Sequence, residues 1–178
     1  MREIWDDILT WESSGRPFAL ARVVETWGSS PRRAGAAMIV GPGMEVAGSV
    51  SGGCIEGAVI TEALAVLADG MPRKLHYGVS DETAWSVGLT CGGEVSVFVE
   101  KHLGQAVGDS QKVWERLRSR IESNRPVVLL TRLVPREHQH LLIDPEAEGV
   151  LAGEWGTATT AALAVAGMAF SKRQSEGV

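Results

Sequence analysis

The chain of 178 residues contains two cysteines, and each sits beside a Gly-Gly pair: Gly52-Gly53-Cys54 and Cys91-Gly92-Gly93. The thiolate is the reactive form in disulfide exchange, soft-metal ligation and sulfur transfer, so all three chemistries are open to such a pair. Two unrelated core cysteines are the plain alternative. Cys54 ends the run Gly48-Ser49-Val50-Ser51-Gly52-Gly53-Cys54, expected to lead from a strand into a helix with Cys54 in its first turn. A junction of that kind points unpaired amides at an anion, the glycines permit close approach, and the helix dipole favours thiolate. Glu56, close behind, opposes that shift if it faces the same way. The run is neither a P-loop nor a dinucleotide fingerprint.

A third segment, Trp27 to Gly35, supplies Gly28, Ser29, Ser30, Arg32, Arg33 and Gly35. Serine hydroxyls and guanidinium forks suit phosphate or carboxylate, although a solvated turn set by Pro31 has the same composition. His76, Tyr77, Asp81 and Glu82 offer acid–base partners. His138 and His140 alternate as on a strand and are too few for a metal site.

The elements that must position these residues follow from hydrophobic spacing. Ile4, Trp5, Ile8 and Leu9 recur at helical period, and the pattern ends at Ser13-Ser14-Gly15. Strands are expected at 18–24, 36–40 and 44–47, a helix at 55–67, and strands at 74–77 and 94–99. A polar linker spans 101–110. A helix at 113–122, strands near 127–133 and 141–144, and a helix from about 157 complete the chain.

The second half echoes the first. At an offset of 109, Trp5, Ser14, Arg16, Pro17 and Leu20 align with Trp114, Ser123, Arg125, Pro126 and Leu129. Val46-Ala47-Gly48 is answered by Leu151-Ala152-Gly153. The expected fold is therefore α/β, a mixed sheet flanked by helices and built from two degenerate helix–strand–strand–strand–helix repeats. The loops that could do chemistry occur only in the first copy.

Composition narrows the classes. Charged residues make up 22% and hydrophobic residues 44%, which excludes a disordered tail. A net charge of −5 argues against a general nucleic-acid binder. Glycine is 21 of 178, about 12% against a usual ~7%, and eight glycines fall between Gly28 and Gly57. The apolar stretch from Gly149 to Phe170 holds Glu154, four glycines and three threonines, a poor membrane span. The first residues carry acids where a signal peptide would carry bases. A soluble, cytoplasmic protein is expected.

Three runs in order, GSSPRRAGAAMIV, GSVSGGCIEGAV and GLTCGGEVSVFVE, closely resemble the N-terminal domain of the XdhC/CoxI family. Its members are maturation factors for molybdenum hydroxylases such as xanthine dehydrogenase and carbon monoxide dehydrogenase. The resemblance is strong over residues 1–101 and weak over 110–170, with 171–178 expected as a flexible tail and the second repeat packed on the first. It implies a chaperone that binds molybdenum cofactor (molybdopterin, or its dinucleotide form) as cargo. It implies as partners a cysteine desulfurase that sulfurates the cargo and an apo hydroxylase that receives it. The residues expected to hold the cargo are Gly28, Ser29, Ser30, Arg32, Arg33, Gly35, Ser51, Gly52, Gly53, Cys54, Glu56, Cys91, Gly92 and Gly93, with Cys54 and Cys91 as the reactive thiols. Family members continue into a Rossmann-like domain, whereas this sequence ends at Val178. A short stand-alone member, one half of a complex whose Rossmann-domain partner acts in trans, or a fragment would each fit, and a homo-oligomer is expected. Two other readings compete: a cysteine-dependent redox enzyme using Cys54 with His76 as base, and a non-catalytic interaction module.

Overall fold

The computed structural model describes residues 2–30, 32–78, 93–106, 108–134 and 139–175. They form two compact units, Met1–His102 with Leu133–Glu137, and Leu103–Arg132 with His138–Val178. The first unit opens with a 3-10 turn, Arg2–Ile4, and α1 (Trp5–Ser13). Strands β1 (Ala19–Trp27), β2 (Ala37–Val40) and β3 (Val46–Gly48) follow, then α2 (Glu56–Asp69). Strands β4 (Arg73–Tyr77) and β5 (Glu94–Lys101) complete it. The second unit has α3 (Asp109–Glu122), β6 (Val128–Thr131), β7 (His140–Asp144), β8 (Gly149–Ala152) and α4 (Thr159–Ser175).

The α/β class expected from the sequence holds, in the form of two antiparallel sheets rather than one mixed sheet. Among the described residues every strand pair is antiparallel, in the orders β3-β2-β1-β5-β4 and β6-β7-β8. Sequence periodicity carries no pairing information, and β5 enters beside β1 across the whole length of the unit. Helix α4 continues through Ser175, so residues 171–175 are helical where a flexible tail is expected. The polar linker is shorter than expected, because β5 runs on to Lys101 and α3 begins at Asp109.

Alternation decides which side chains are buried where. Ala19, Ala21 and Val23 of β1 and Val95, Val97 and Val99 of β5 share one face with Val59, Ala63 and Val66 of α2. The opposite face holds Phe98, Leu20 and the ion pair of Arg22 with the fully buried Glu100. Strand β1 carries a register shift between Val23 and Glu25, a bulge that leaves Val24 without a partner on β5.

The repeat is visible in matching joints. Ser14 caps α1 and Ser123 caps α3. Each is followed by a residue with positive φ, Gly15 at 66° and Asn124 at 51°. The amides of Ser14, Gly15 and Arg16 donate to carbonyls of Thr10, Glu12 and Trp11; those of Ser123, Asn124 and Arg125 donate to Ser119, Ile121 and Arg120. Gly48 (φ 84°) closes β3 and Gly153 (φ 86°) directly follows β8. A Cβ on Gly48 would lie 2.4 Å from the Ala37 carbonyl oxygen, and one on Gly153 would lie 2.1 Å from that of His140. Both positions require glycine by dihedral and by space.

His102, directly after β5, is fully buried, its ring stacked on Phe18 at 4.3 Å and Nε2 3.7 Å from Glu12. Burial disfavours its cation more than the nearby Glu100 charge restores it, and its pKa falls from 6.5 to about 4. The unfolded chain therefore binds a proton that the native state refuses between those values.

Two outcomes follow. Gly48→Ala lowers unfolding free energy by more than about 3 kcal/mol, whereas Gly15→Ala, with open space around it, costs about 1 kcal/mol, as read by urea denaturation. Wild-type stability is full above pH 6.5 and declines as pH falls toward 4. His102→Phe, which keeps the stack and removes the proton, flattens that part of the profile.

Candidate functional site

Sheet register brings the motif segments to one edge. Trp27 at the end of β1 pairs with Glu94 at the start of β5, Ala37 at the start of β2 pairs with Arg22, and Gly48 at the end of β3 pairs with Met38. Tyr77, the last residue of β4, pairs with Val95. Segments 28–36 and 49–55, together with Gly78 and Gly93, therefore all leave the five-stranded sheet at the same end. Gly93 is tight against the first of these loops: a Cβ there would sit 2.7 Å from the Ser29 carbonyl oxygen and 3.0 Å from that of Trp27. Cys91, Gly92, Asp81, Glu82 and His138 lie outside the described residues.

The segment after Gly48 is organised by one carboxylate. Glu56 Oε1 accepts from the amides of Val50 at 3.2 Å, Ser51 at 2.9 Å and Gly52 at 3.1 Å, and from the Ser49 hydroxyl at 2.7 Å. Its Oε2 accepts from the Gly53 amide at 2.8 Å and from the Ser51 hydroxyl. The hydroxyls in turn accept amides, Ser49 from Gly52 at 2.9 Å and Ser51 from Ile55 at 3.0 Å. Burial alone would raise the Glu56 pKa, but the Ser51 and Ser49 hydroxyls and the Ser51 amide outweigh it, bringing it from 4.5 down to about 2.

The expectation of unpaired amides at this junction is thus corrected: the anion they hold is the chain's own Glu56. The sequence signal was weak: Ile55 is the N-cap and Glu56 the first helical residue, so this is not the Ser/Thr-x-x-Glu pattern of a capping box. Cys54 precedes the helix, with Ile55 at the N-cap, rather than lying in its first turn. It is a free, half-buried thiol packed on the valine core.

The other loop keeps its polar groups outward. Arg33, Ser29 and Gly28 are exposed, Arg32 is ion-paired with Glu3, and the Ser30 hydroxyl donates to the Arg32 carbonyl at 2.8 Å. His76 points across the sheet to Ser96 (Nδ1 to Oγ 3.2 Å) and Glu94 (4.0 Å). Burial, with the Glu62 charge adding to it, raises the Tyr77 phenol to about 12, so it stays protonated. Among the described residues no group of three His, Cys, Asp or Glu side chains is placed to hold a metal ion. No helix among them is long and apolar enough to cross a membrane.

Residues 11–78 match the family model described as the XdhC and CoxI family. That segment belongs to the XdhC and CoxI family. It contains the end of α1, β1 to β3, the Glu56-centred loop, α2 and β4, hence the described part of the motif-bearing edge except Gly93. Among curated proteins, the molybdenum cofactor insertion chaperone PaoD of Escherichia coli (strain K12) is 30% identical over 140 residues, 78% of this chain and 37% of that protein. YqeB of the same organism is 36% identical over 99 residues, 56% of this chain and 18% of that protein. A probable xanthine dehydrogenase component of Bacillus subtilis (strain 168) is 29% identical over 126 residues, 69% of this chain and 36% of that protein. The chain thus spans well under half the length of each of these three relatives. A crystal structure from Bacillus halodurans, described as a xanthine dehydrogenase, shares the fold with a TM-score of 0.67 at 24% identity. The match covers 85% of this chain and 45% of that one.

Glu56→Gln tests the organising role of the carboxylate. It lowers stability at pH 7 by roughly 1–3 kcal/mol, because a neutral amide satisfies fewer of those donors. The difference from wild type shrinks as pH falls below 4.5 toward 2 and Glu56 itself is protonated, as read by urea denaturation across that range.

Proposed function

We propose that this chain is the cargo-holding part of a molybdenum cofactor insertion system for molybdenum hydroxylases. The observation that supports it most is the gathering of the segments 28–36, 49–55 and Gly93 at one end of one sheet. The family segment over residues 11–78 and the likeness to a molybdenum cofactor insertion chaperone supply the cargo class.

Molybdenum cofactor is a pterin with a dithiolene at one end and a phosphate, or a nucleotide diphosphate, at the other. Its acidic end is met by the exposed Arg33 and Ser29, with Arg32 joining when it leaves Glu3, since guanidinium forks bind phosphate in paired bonds. The amides at 50–53 are committed to Glu56 and serve to hold the backbone that presents Cys54. The Cys54 thiol is the soft donor suited to the molybdenum–sulfur end, and Cys91 is its companion on the other motif. In this reading the protein carries cargo and does not turn it over. A cysteine desulfurase sulfurates the bound cofactor in the cytoplasm, an apo hydroxylase of the xanthine or carbon monoxide dehydrogenase type receives it, and a Rossmann-like domain or a second copy of the chain completes the assembly.

Equilibrium binding of molybdenum cofactor under anaerobic conditions, beside Cys54→Ala, tests the reading. Stoichiometric binding that weakens about tenfold or more in the variant is expected, a change of about 1.4 kcal/mol. Equal binding by Cys54→Ala removes the role given to that thiol. A folded wild type that binds nothing overturns the carrier reading in favour of an interaction module.

A further inference from the structure

The second repeat contains a polar cavity of about 330 Å³ that faces α3, lined by Asp109, Ser110, Arg132, His140, Glu154 and Trp155. It occupies a place that the first repeat fills with apolar side chains. Thr131 pairs with His140 as Arg22 pairs with Ala37, so His140 stands where Ala37 stands. Gly153 takes the position of Gly48, and Trp155 follows it by two residues as Val50 follows Gly48. Val113 precedes Trp114 as Ile4 precedes Trp5. In the first repeat Ile4, Ala37 and Val50 are all buried, and a Cβ on Gly48 would be 2.6 Å from Ile4 Cγ2, leaving no space. One scaffold thus closes this spot with a small apolar plug in one copy and opens it onto an imidazole, a guanidinium and an indole in the other.

The interior of the cavity is rich in donors. His140 is 5% exposed, and Thr131 Oγ1 lies 3.1 Å from its Nδ1, which fixes the ring. Arg132 lies over the Trp155 ring at 5.3 Å and donates to Gln139 Oε1 at 2.8 Å, two contacts that hold its fork in place. Trp155 keeps its indole N–H buried with no hydrogen-bond acceptor among the described residues. Burying a donor without an acceptor is unfavourable, and a ligand acceptor removes that cost. The acids are at the rim: Asp109 is exposed and 3.1 Å from Lys112, and Glu154 is exposed.

We propose that this cavity binds a small oxyanion, the carboxylate or phosphate group of a metabolite, with Arg132, His140 and the Trp155 indole N–H as its donors. The rim carboxylates exclude polyanions and favour a ligand whose outer end is neutral or cationic. The site uses none of the residues of the five-stranded sheet, so it stands or falls apart from the cofactor-carrier reading.

The test follows the indole N–H and imidazole resonances of the full chain by NMR, with Trp155 assigned through Trp155→Phe. Inorganic phosphate, acetate and chloride are titrated separately at constant ionic strength. A saturable shift of Trp155 and His140 with phosphate or acetate is expected, and the tighter of the two names the headgroup. Arg132→Gln weakens that binding about tenfold in a protein that stays folded at the titration temperature. His140→Ala installs the residue of the first repeat and abolishes binding in a folded protein; if it unfolds, the Arg132→Gln titration decides alone. No saturable shift with either oxyanion, an equal response to chloride, or undiminished binding by Arg132→Gln would overturn the proposal.

Discussion

The segment that presents Cys54 at the motif-bearing edge depends on the Glu56 carboxylate. Four consecutive amides, Val50 to Gly53, and two hydroxyls converge on its two oxygens, and the same residue begins α2. A glycine-rich loop loses more conformational freedom on ordering than any other kind of segment. Here that loss is offset by charge-assisted bonds to a single internal anion. The consequence for Cys54 is positional: it lies between the last bonded amide and the N-cap, with its backbone held from both sides.

The two repeats show which parts of the unit are architecture and which are use. Cap geometry after the first helix, the strand meander, and the glycine at the end of the third strand are shared. The long loops at 28–36 and 49–55 belong to the first copy, and the polar cavity belongs to the second. Sites differ because the scaffold leaves the same edge of each sheet free to vary.

Much of this was legible in the residues. The β-branched run Val95 to Val99 and the Ile55, Val59, Ala63 spacing identify β5 and α2, since burial against one layer imposes those periods. Gly48 and Gly153 mark their joints because no other residue fits there. Pairing was not legible: the division into two antiparallel sheets depends on β5 returning to β1 from roughly seventy residues away in the chain. The role of Glu56 was missed for a local reason. A carboxylate near a glycine loop reads as a repulsive neighbour of a thiol until its χ angles turn it back onto the amides. His140 reads as half of an incomplete pair with His138, and only the matching register of the two repeats shows that it takes the place of the Ala37 methyl group.

The bulge at Val24 sets the phase of β1 as it approaches this edge. Before it, Val23 faces the valine layer opposite Val97; after it, Glu25 pairs with Ser96 on the other face and Thr26 pairs with Val95. Strict alternation from Val23 would have carried Glu25 into the layer covered by α2, and Trp27 with it. One supernumerary residue therefore exchanges an acid for a threonine at the core boundary and turns a large indole, 69% exposed, to the rim beside Gly28. The first motif begins where a frameshift in the strand has delivered it.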